Sequence, residues 1–344
     1  MLAFWFSERY RPDAGTVMKR PLRALFPLLA IFLLSPIEPL SAEIEADGID
    51  IEYAEIVPLA AQSMQLDLVR IGERVVSVGE RGIIVLSEDG GTNWKQAAAV
   101  PARATLTTVV AVGQRLFAAG HDTVILTSGD GGDTWTRQYF DPERQQPIMD
   151  MWFSDEDNGL AIGAYGLMLS TADGGQNWED WAVNDADDAH LNNIVELSDG
   201  TLLIAGEAGF SYRSDDAGET WEALDIPYQG SMFGADVAGD GCILFYGLRG
   251  HILRSCASVG SWEELETKSE NTLAGGTSHA GGVLMVGNSG VIVDYRNGGA
   301  LSLHNHSSGV DFSTAIIMND GSFLLAGEDG VHRYPEARAG EQAQ

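Results

Sequence analysis

Five tryptophans each close a short stretch rich in acid and glycine, and the interval between them is almost constant. The stretch reads Ser-Glu-Asp-Gly-Gly-Thr-Asn-Trp at residues 87–94 and returns at 128–135, 171–178, 214–221 and, altered, 255–262. Trp94, Trp135, Trp178, Trp221 and Trp262 stand 41, 43, 43 and 41 residues apart. Such a period means one supersecondary unit per repeat, with the core formed by stacking the units.

The motif has a local physical logic. Asp89, Asp130, Asp173 and Asp216 sit where a short carboxylate can accept N–H groups of its own tight turn. Gly91, Gly132, Gly175 and Gly218 supply positive φ. A Ser or Thr two places before the Asp adds a hydroxyl contact, and the closing Trp buries a large ring against a neighbouring unit. The repeated work of Asp89, Trp94, Asp130, Trp135, Asp173, Trp178, Asp216 and Trp221 is therefore structural: they lock turns.

Between these stretches the repeats divide into four strands. In the second repeat they are expected at 106–112, 116–119, 124–128 and 135–139. The second strands are nearly continuous apolar runs, such as Leu202-Leu203-Ile204-Ala205 and Val283-Leu284-Met285-Val286, which implies cover on both faces. Each ends in glycine, at Gly79, Gly120, Gly163, Gly206, Gly247, Gly287 and Gly327, and in six of the seven a second glycine follows three places later. Seven units, stacked as blades of a ring, give an all-β, seven-bladed propeller with four-stranded antiparallel blades over residues 43–336. The seventh repeat lacks its closing Trp, so the alternating segment Gly48–Val57 is expected to supply its fourth strand and close the ring.

Ser-x-Asp-x-Gly-x-Thr-Trp resembles the Asp-box, or bacterial neuraminidase repeat. Together with the Gly-x-x-Gly turns, it is similar to the photosystem II stability/assembly factor family of β-propellers, over about residues 60–334. That resemblance implies a protein acting in photosynthesis, not an enzyme, that binds a membrane-protein partner or assembly intermediate. The same box also occurs in sialidases, so the alternative it implies is a glycoside hydrolase acting on a saccharide.

Residues 1–42 read as an N-terminal extension and signal peptide, with the start expected at Met18. Lys19, Arg20 and Arg23 precede an apolar run at 24–34 and a small-residue exit at Ser41-Ala42. The expected product is exported, to a periplasm or equivalent lumen, without insertion in the membrane and as a monomer. Residues 337–344 form a polar tail expected to be disordered. A formal net charge of −30 argues against nucleic acid as partner. Cys242 and Cys256 flank the hairpin of the fifth repeat, where register places them as near neighbours. An oxidising compartment would join them, in the repeat whose box has Ala257 in place of Asp; the alternative is two free buried thiols.

Box turns all lie on one face of such a ring, and the Gly-x-x-Gly turns with the loops leading into each first strand lie on the other. The second face is the expected binding face, because loops on a rigid scaffold carry most binding chemistry. Its turns present Glu80, Arg81, His121, Asp122, Tyr165, Glu207, Arg249, Asn288, Glu328 and Asp329, and its loops add Gln65, Thr105, Asp150, His190, Asn192, Phe233 and Asp311. Family members resembled here look arginine-rich on this face. This chain offers Arg81 and Arg249 among five acids, which suits a partner with basic loops. No catalytic residue, metal site or cofactor is assigned. His304-Asn305-His306 lacks a third ligand, and strands follow the Gly-x-x-Gly turns where a nucleotide fingerprint needs a helix.

Overall fold

The computed structural model describes residues 51–183, 188–256 and 259–335, and the compact unit begins at Glu52. It is all-β: seven antiparallel sheets arranged as a propeller. The inner strands are Gln65–Ile71, Leu106–Val112, Ile148–Phe153, Leu191–Glu196, Met232–Val237, Leu273–His279 and Phe312–Ile317. Each packs on the next, and the last packs on the first, so the ring closes.

The second strands fill the space between blades. Val75 to Gly79, Leu116 to Gly120 and Leu202 to Gly206 are buried throughout. Their side chains alternate between two inter-blade cores: Leu116 and Ala118 pack toward blade one, Phe117 and Ala119 toward blade three. A continuous apolar run therefore results from a strand with two buried faces. In the second repeat the strands run Leu106–Val112, Arg115–Gly120, Ile125–Ser128 and Thr136–Tyr139, within two residues of expectation at every end.

The boxes dock on the blade before them. Asp89 accepts from the Thr92 and Asn93 amides, while Ser87 Oγ donates to Asp89 and accepts from Gly91 N–H at 2.7 Å. Asp130, Asp173 and Asp216 repeat the pattern. A side chain at Gly91, Gly132, Gly175 or Gly218 would strike Leu324, Leu86, Phe117 or Leu160, so small size here is what lets each turn lie flat on its neighbour. Trp94, Trp135 and Trp221 donate their indole N–H to the carbonyl of the box glycine three residues earlier.

Closure differs from the sequence expectation. Blade seven has three strands, Phe312–Ile317, Phe323–Gly327 and Gly330–Tyr334, and no described residue supplies a fourth. Residues 52–57 instead form a strap on blade one: Ala54 N–H donates to Val100 O at 2.9 Å, Val57 N–H to the Gln96 side chain, and the Tyr53 carbonyl accepts from Arg103. Residues 48–50 of the expected strand, the expected leader at 1–42 and the tail at 337–344 lie outside the described residues. The seam between blades seven and one is held by the buried cluster Leu68, Val75, Met318, Leu324 and Ala326, and by Arg333, which donates to Gly90 O. The blade-one box on Leu324 repeats the docking used at the other seams, which is why the ring needs no strand exchange to shut.

Cys242 and Cys256 form a disulfide across the mouth of the fifth hairpin, next to the ladder pair Ile243 and Ser255.

Candidate functional site

One face of the ring is built from a contact repeated in every blade. The N–H of the first turn residue donates to the carbonyl of the residue just before the inner strand: Glu80 to Met64, His121 to Thr105, Ala164 to Pro147, Glu207 to His190, Leu248 to Ser231, Asn288 to Thr272 and Glu328 to Asp311, at 2.8–3.2 Å. The glycine before the turn makes this possible. A Cβ at Gly79, Gly120, Gly163, Gly247, Gly287 or Gly327 would lie 1.9–2.3 Å from that carbonyl oxygen.

These turns hold non-glycine residues in the left-handed region: Arg81, Asp122, Tyr165, Ala208, Arg249 and Ser289 have φ between 53° and 59°. That conformation costs roughly 1 kcal/mol at each such residue, and it is held by the docked loop on either side. Here the expected residues are distributed one turn per blade. Arg81 pairs with its neighbour Glu80, Asp329 contacts His332 at 2.6 Å, and the Glu328 carboxylate accepts from Asp311 N–H. His121 is half-buried, and burial holds its pKa below the usual imidazole value. Asn288 and Ser289 stand beside Asp311, which accepts from Ser289 N–H.

Blades three to five differ from the rest. The Tyr165 ring meets His190 edge-on at 4.7 Å, and Glu207 accepts from His190 N–H, with the imidazole 3.8 Å away. One blade on, Tyr228 stacks on His251 at 3.9 Å and His251 contacts Glu264 at 2.5 Å. Gly209 joins the two groups, since its N–H donates to Gly230 O and a Cβ there would lie 3.0 Å from the Tyr228 carbonyl oxygen. The structure thus gathers Tyr165, His190 and Glu207, with Arg249 adjacent on blade five, into an aromatic and acidic arc. Among the sequence candidates Glu80, Arg81, His121 and Asp122 lie on other blades.

Four of the loop candidates lie elsewhere. Gln65, Asp150, Asn192 and Phe233 belong to inner strands, with Asp150 on the blade-three strand nearest the ring axis. There it is one of three carboxylates on alternate blades. Asp67 accepts from Leu68 and, across the blade boundary, from Val109 N–H at 2.8 Å. Asp150 accepts from Met151, and from Ile194 N–H and the Asn193 side chain of blade four. Asp236 accepts from Tyr246 and from Ser278 of blade six. Inner strands present an unpaired edge to the channel, and these side chains satisfy amides that no fifth strand can reach. Burial, opposed by those hydrogen bonds, pushes Asp67 up to about 7 and Asp150 and Asp236 up to about 6, each from 3.8. Only Asp150 was visible as a candidate in the sequence, because a single Asp in a short apolar strand carries no sign of which edge it faces.

A second feature missed in sequence is a cleft of about 380 Å³ on the box side, between the inner strands of blades two and three, lined by Val110, Val112, Met151, Trp152, Phe153 and Glu156. His304 and His306 do not act as a pair: His304 is exposed, and His306 is buried against Phe312 and His332. Among the described residues no cluster of three or more His, Cys, Asp or Glu could hold a metal ion, and no helix is long and apolar enough to cross a membrane.

Comparison with known proteins places this architecture. The family model described as "Photosynthesis system II assembly factor YCF48" matches residues 138–232. A curated relative, the "Photosystem II assembly lipoprotein Ycf48" of Synechococcus sp. (strain CC9902), is 29% identical over 85 residues, 24% of this chain and 26% of the relative. The match thus spans about a quarter of that protein's length. Among solved structures, "YCF48 bound to D1 peptide" superposes with a TM-score of 0.66 at 17% identity over 81% of this chain and 94% of the other. "YCF48 from Cyanidioschyzon merolae" gives 0.62 at 14% identity over 81% and 97%. A streptogramin B lyase gives 0.67 at 15% identity over 82% and 97%, so the shared shape extends to an enzyme.

Proposed function

We propose, starting from a fold and a central segment similar to the photosystem II assembly factors, that this chain is a non-enzymatic scaffold that binds a membrane-protein partner through its turn face. One coincidence carries the reading. The matched segment, residues 138–232, covers blades three and four and the approach to blade five, and it contains Tyr165, His190, Glu207 and Tyr228 of the aromatic and acidic arc. The relative whose name specifies a D1 peptide shares this fold; a segment of a membrane protein is the class of partner carried over to this chain.

The three channel carboxylates are the residues that an enzyme reading would use. Asp67 already accepts two backbone amides and Asp150 four donors, so their geometry supports a role as inter-blade acceptors. Chromogenic glycosides provide the test: turnover that disappears in Asp150→Asn would establish hydrolysis and end the scaffold reading.

Export to a periplasm or lumen is supported by the charge pattern of residues 19–42 and by the Cys242–Cys256 disulfide, which needs an oxidising compartment. The curated relative is named a lipoprotein; both cysteines of this chain lie in blade five.

The binding experiment is capture from detergent-solubilised membranes. Wild-type protein should retain a membrane protein that is lost when Tyr165 and Tyr228 are replaced by Asn and Ala, and kept when Glu219 of the blade-four box becomes Gln. Capture of nothing, or loss only with the box-face variant, would overturn the proposal.

A further inference from the structure

The residue that follows each of these turns stands at or just before the start of the third strand, and it is a buried aliphatic in four blades: Ile83, Val124, Leu167 and Val291. In blades four and five it is Phe210, 41% exposed, and His251, whose ring stacks on Tyr228. Two adjacent blades have therefore replaced a core position with a ring at the surface. Tyr165, 44% exposed, extends the same strip on blade three.

Each end of the strip pairs two rings with a carboxylate. At one end Tyr165 meets His190 edge-on beside Glu207; at the other Tyr228 stacks on His251 beside Glu264. Both carboxylates remain more than a third exposed on their side chains, so each keeps acceptor capacity for an incoming donor. A planar cation that can lie on a ring while donating two parallel N–H bonds to a carboxylate matches this arrangement, and among side chains that is the guanidinium of arginine. An ammonium has the charge without the plane.

We propose that these two groups are arginine-reading stations, and that the partner segment docking on blades three to five presents arginine side chains to them. This deepens the turn-face reading and rests on it. The net charge of −30 draws such a segment in from a distance, and the stations fix where it sits. Phe210, between them, offers an apolar contact to the residues that separate the arginines.

The test uses the full chain and a fluorescein-labelled arginine–glycine peptide, with lysine-for-arginine and glutamate-for-arginine counterparts. The arginine peptide should bind saturably and weaken as salt rises, the lysine peptide should bind at least fivefold more weakly, and the glutamate peptide should not bind. Glu207→Gln combined with Glu264→Gln should weaken the arginine peptide at least tenfold. Gln keeps the carbonyl that accepts from His190 N–H, so an unchanged melting curve is expected. Tyr165→Asn, with a residue that tolerates positive φ, should weaken binding severalfold. Equal affinity for the arginine and lysine peptides, or wild-type affinity in the double Gln variant, would overturn the stations. Membrane-protein capture on the same variants separates the two levels. Capture that survives the double Gln variant overturns the stations and leaves the turn face standing; arginine-peptide binding without capture from membranes does the reverse.

Discussion

Gly163 and Gly129 look alike in sequence, yet they face opposite constraints. A Cβ at Gly163 would lie 2.1 Å from the Pro147 carbonyl oxygen, a backbone atom fixed by its bond to Ala164 N–H; at Gly129 it would meet nothing within 4 Å. Gly163→Ala should therefore cost about 2–3 kcal/mol, while Gly129→Ala should stay within about 0.5 kcal/mol of wild type, both read from urea unfolding midpoints. The carboxylates are likewise of two kinds. Asp236 has a folded pKa of about 6 against 3.8, so its ionised form is disfavoured by folding, and the penalty present at pH 8 is removed as pH falls through 6 toward 4. Asp89 is held at about 2 by the Asn93 amide, its side chain and Ser87, so its support is present above 3.8 and is lost as pH falls toward 2. Thermal stability should rise from pH 8 to about 4.5 and fall below about 3.5. Asp236→Asn should make the upper limb shallower, because the Tyr246 and Ser278 hydroxyls can turn to accept from an amide; an upper limb of wild-type slope in that variant would remove Asp236 as one of its sources.

At the scale of elements, periodicity identified strands but not their partners. The second strands were legible because two-sided burial leaves an unmistakable run of apolar residues, and the box turns because Asp, Gly and Trp act within eight residues of one another. The alternation of Ile49, Ile51 and Tyr53 has the look of a strand with one free face, and nothing in it distinguishes the open edge of blade seven from the flank of blade one. The channel acids escaped notice for a related reason: Asp67 and Val109 are 42 residues apart and meet only once two blades are stacked. The two stations depend on the same long-range assembly, since the loop carrying His190 and the turn carrying Glu207 belong to blade four while Tyr165 belongs to blade three. Blade five shows how an element can lose one lock and keep another. Its box has Ala257 in place of Asp, and the Cys242–Cys256 bond closes a hairpin with a sequence separation of 14. Replacing both cysteines by alanine should destabilise the protein by about 3 kcal/mol. Denaturation of the double variant in parallel with reduced wild type would check this, and the two should coincide.

For the whole ring, the seam between blades seven and one decides whether the molecule unfolds as a unit. Six blades end in an outer strand, whereas Gly330–Tyr334 has pairing on one side among the described residues. Gly327 and Gly330 flank a two-residue turn, and the pairing of Leu325 with His332 and Phe323 with Tyr334 continues that register, which leaves the N–H groups of Val331 and Arg333 turned outward. Across the seam, Leu324 meets the blade-one box, Arg333 reaches Gly90, and Arg70 with Glu73 holds Asn319. These contacts are face-to-face packing with polar clips, with none of the backbone ladder that a shared blade would add. Local opening should therefore begin here. In native-state hydrogen exchange the Val331 and Arg333 amides should exchange orders of magnitude faster than those of Val286 or Ile204, and Arg333→Ala should speed exchange in blades one and seven before it affects blade four. Uniform acceleration around the ring would instead mean that all seven blades open together and that the seam is no weaker than its neighbours.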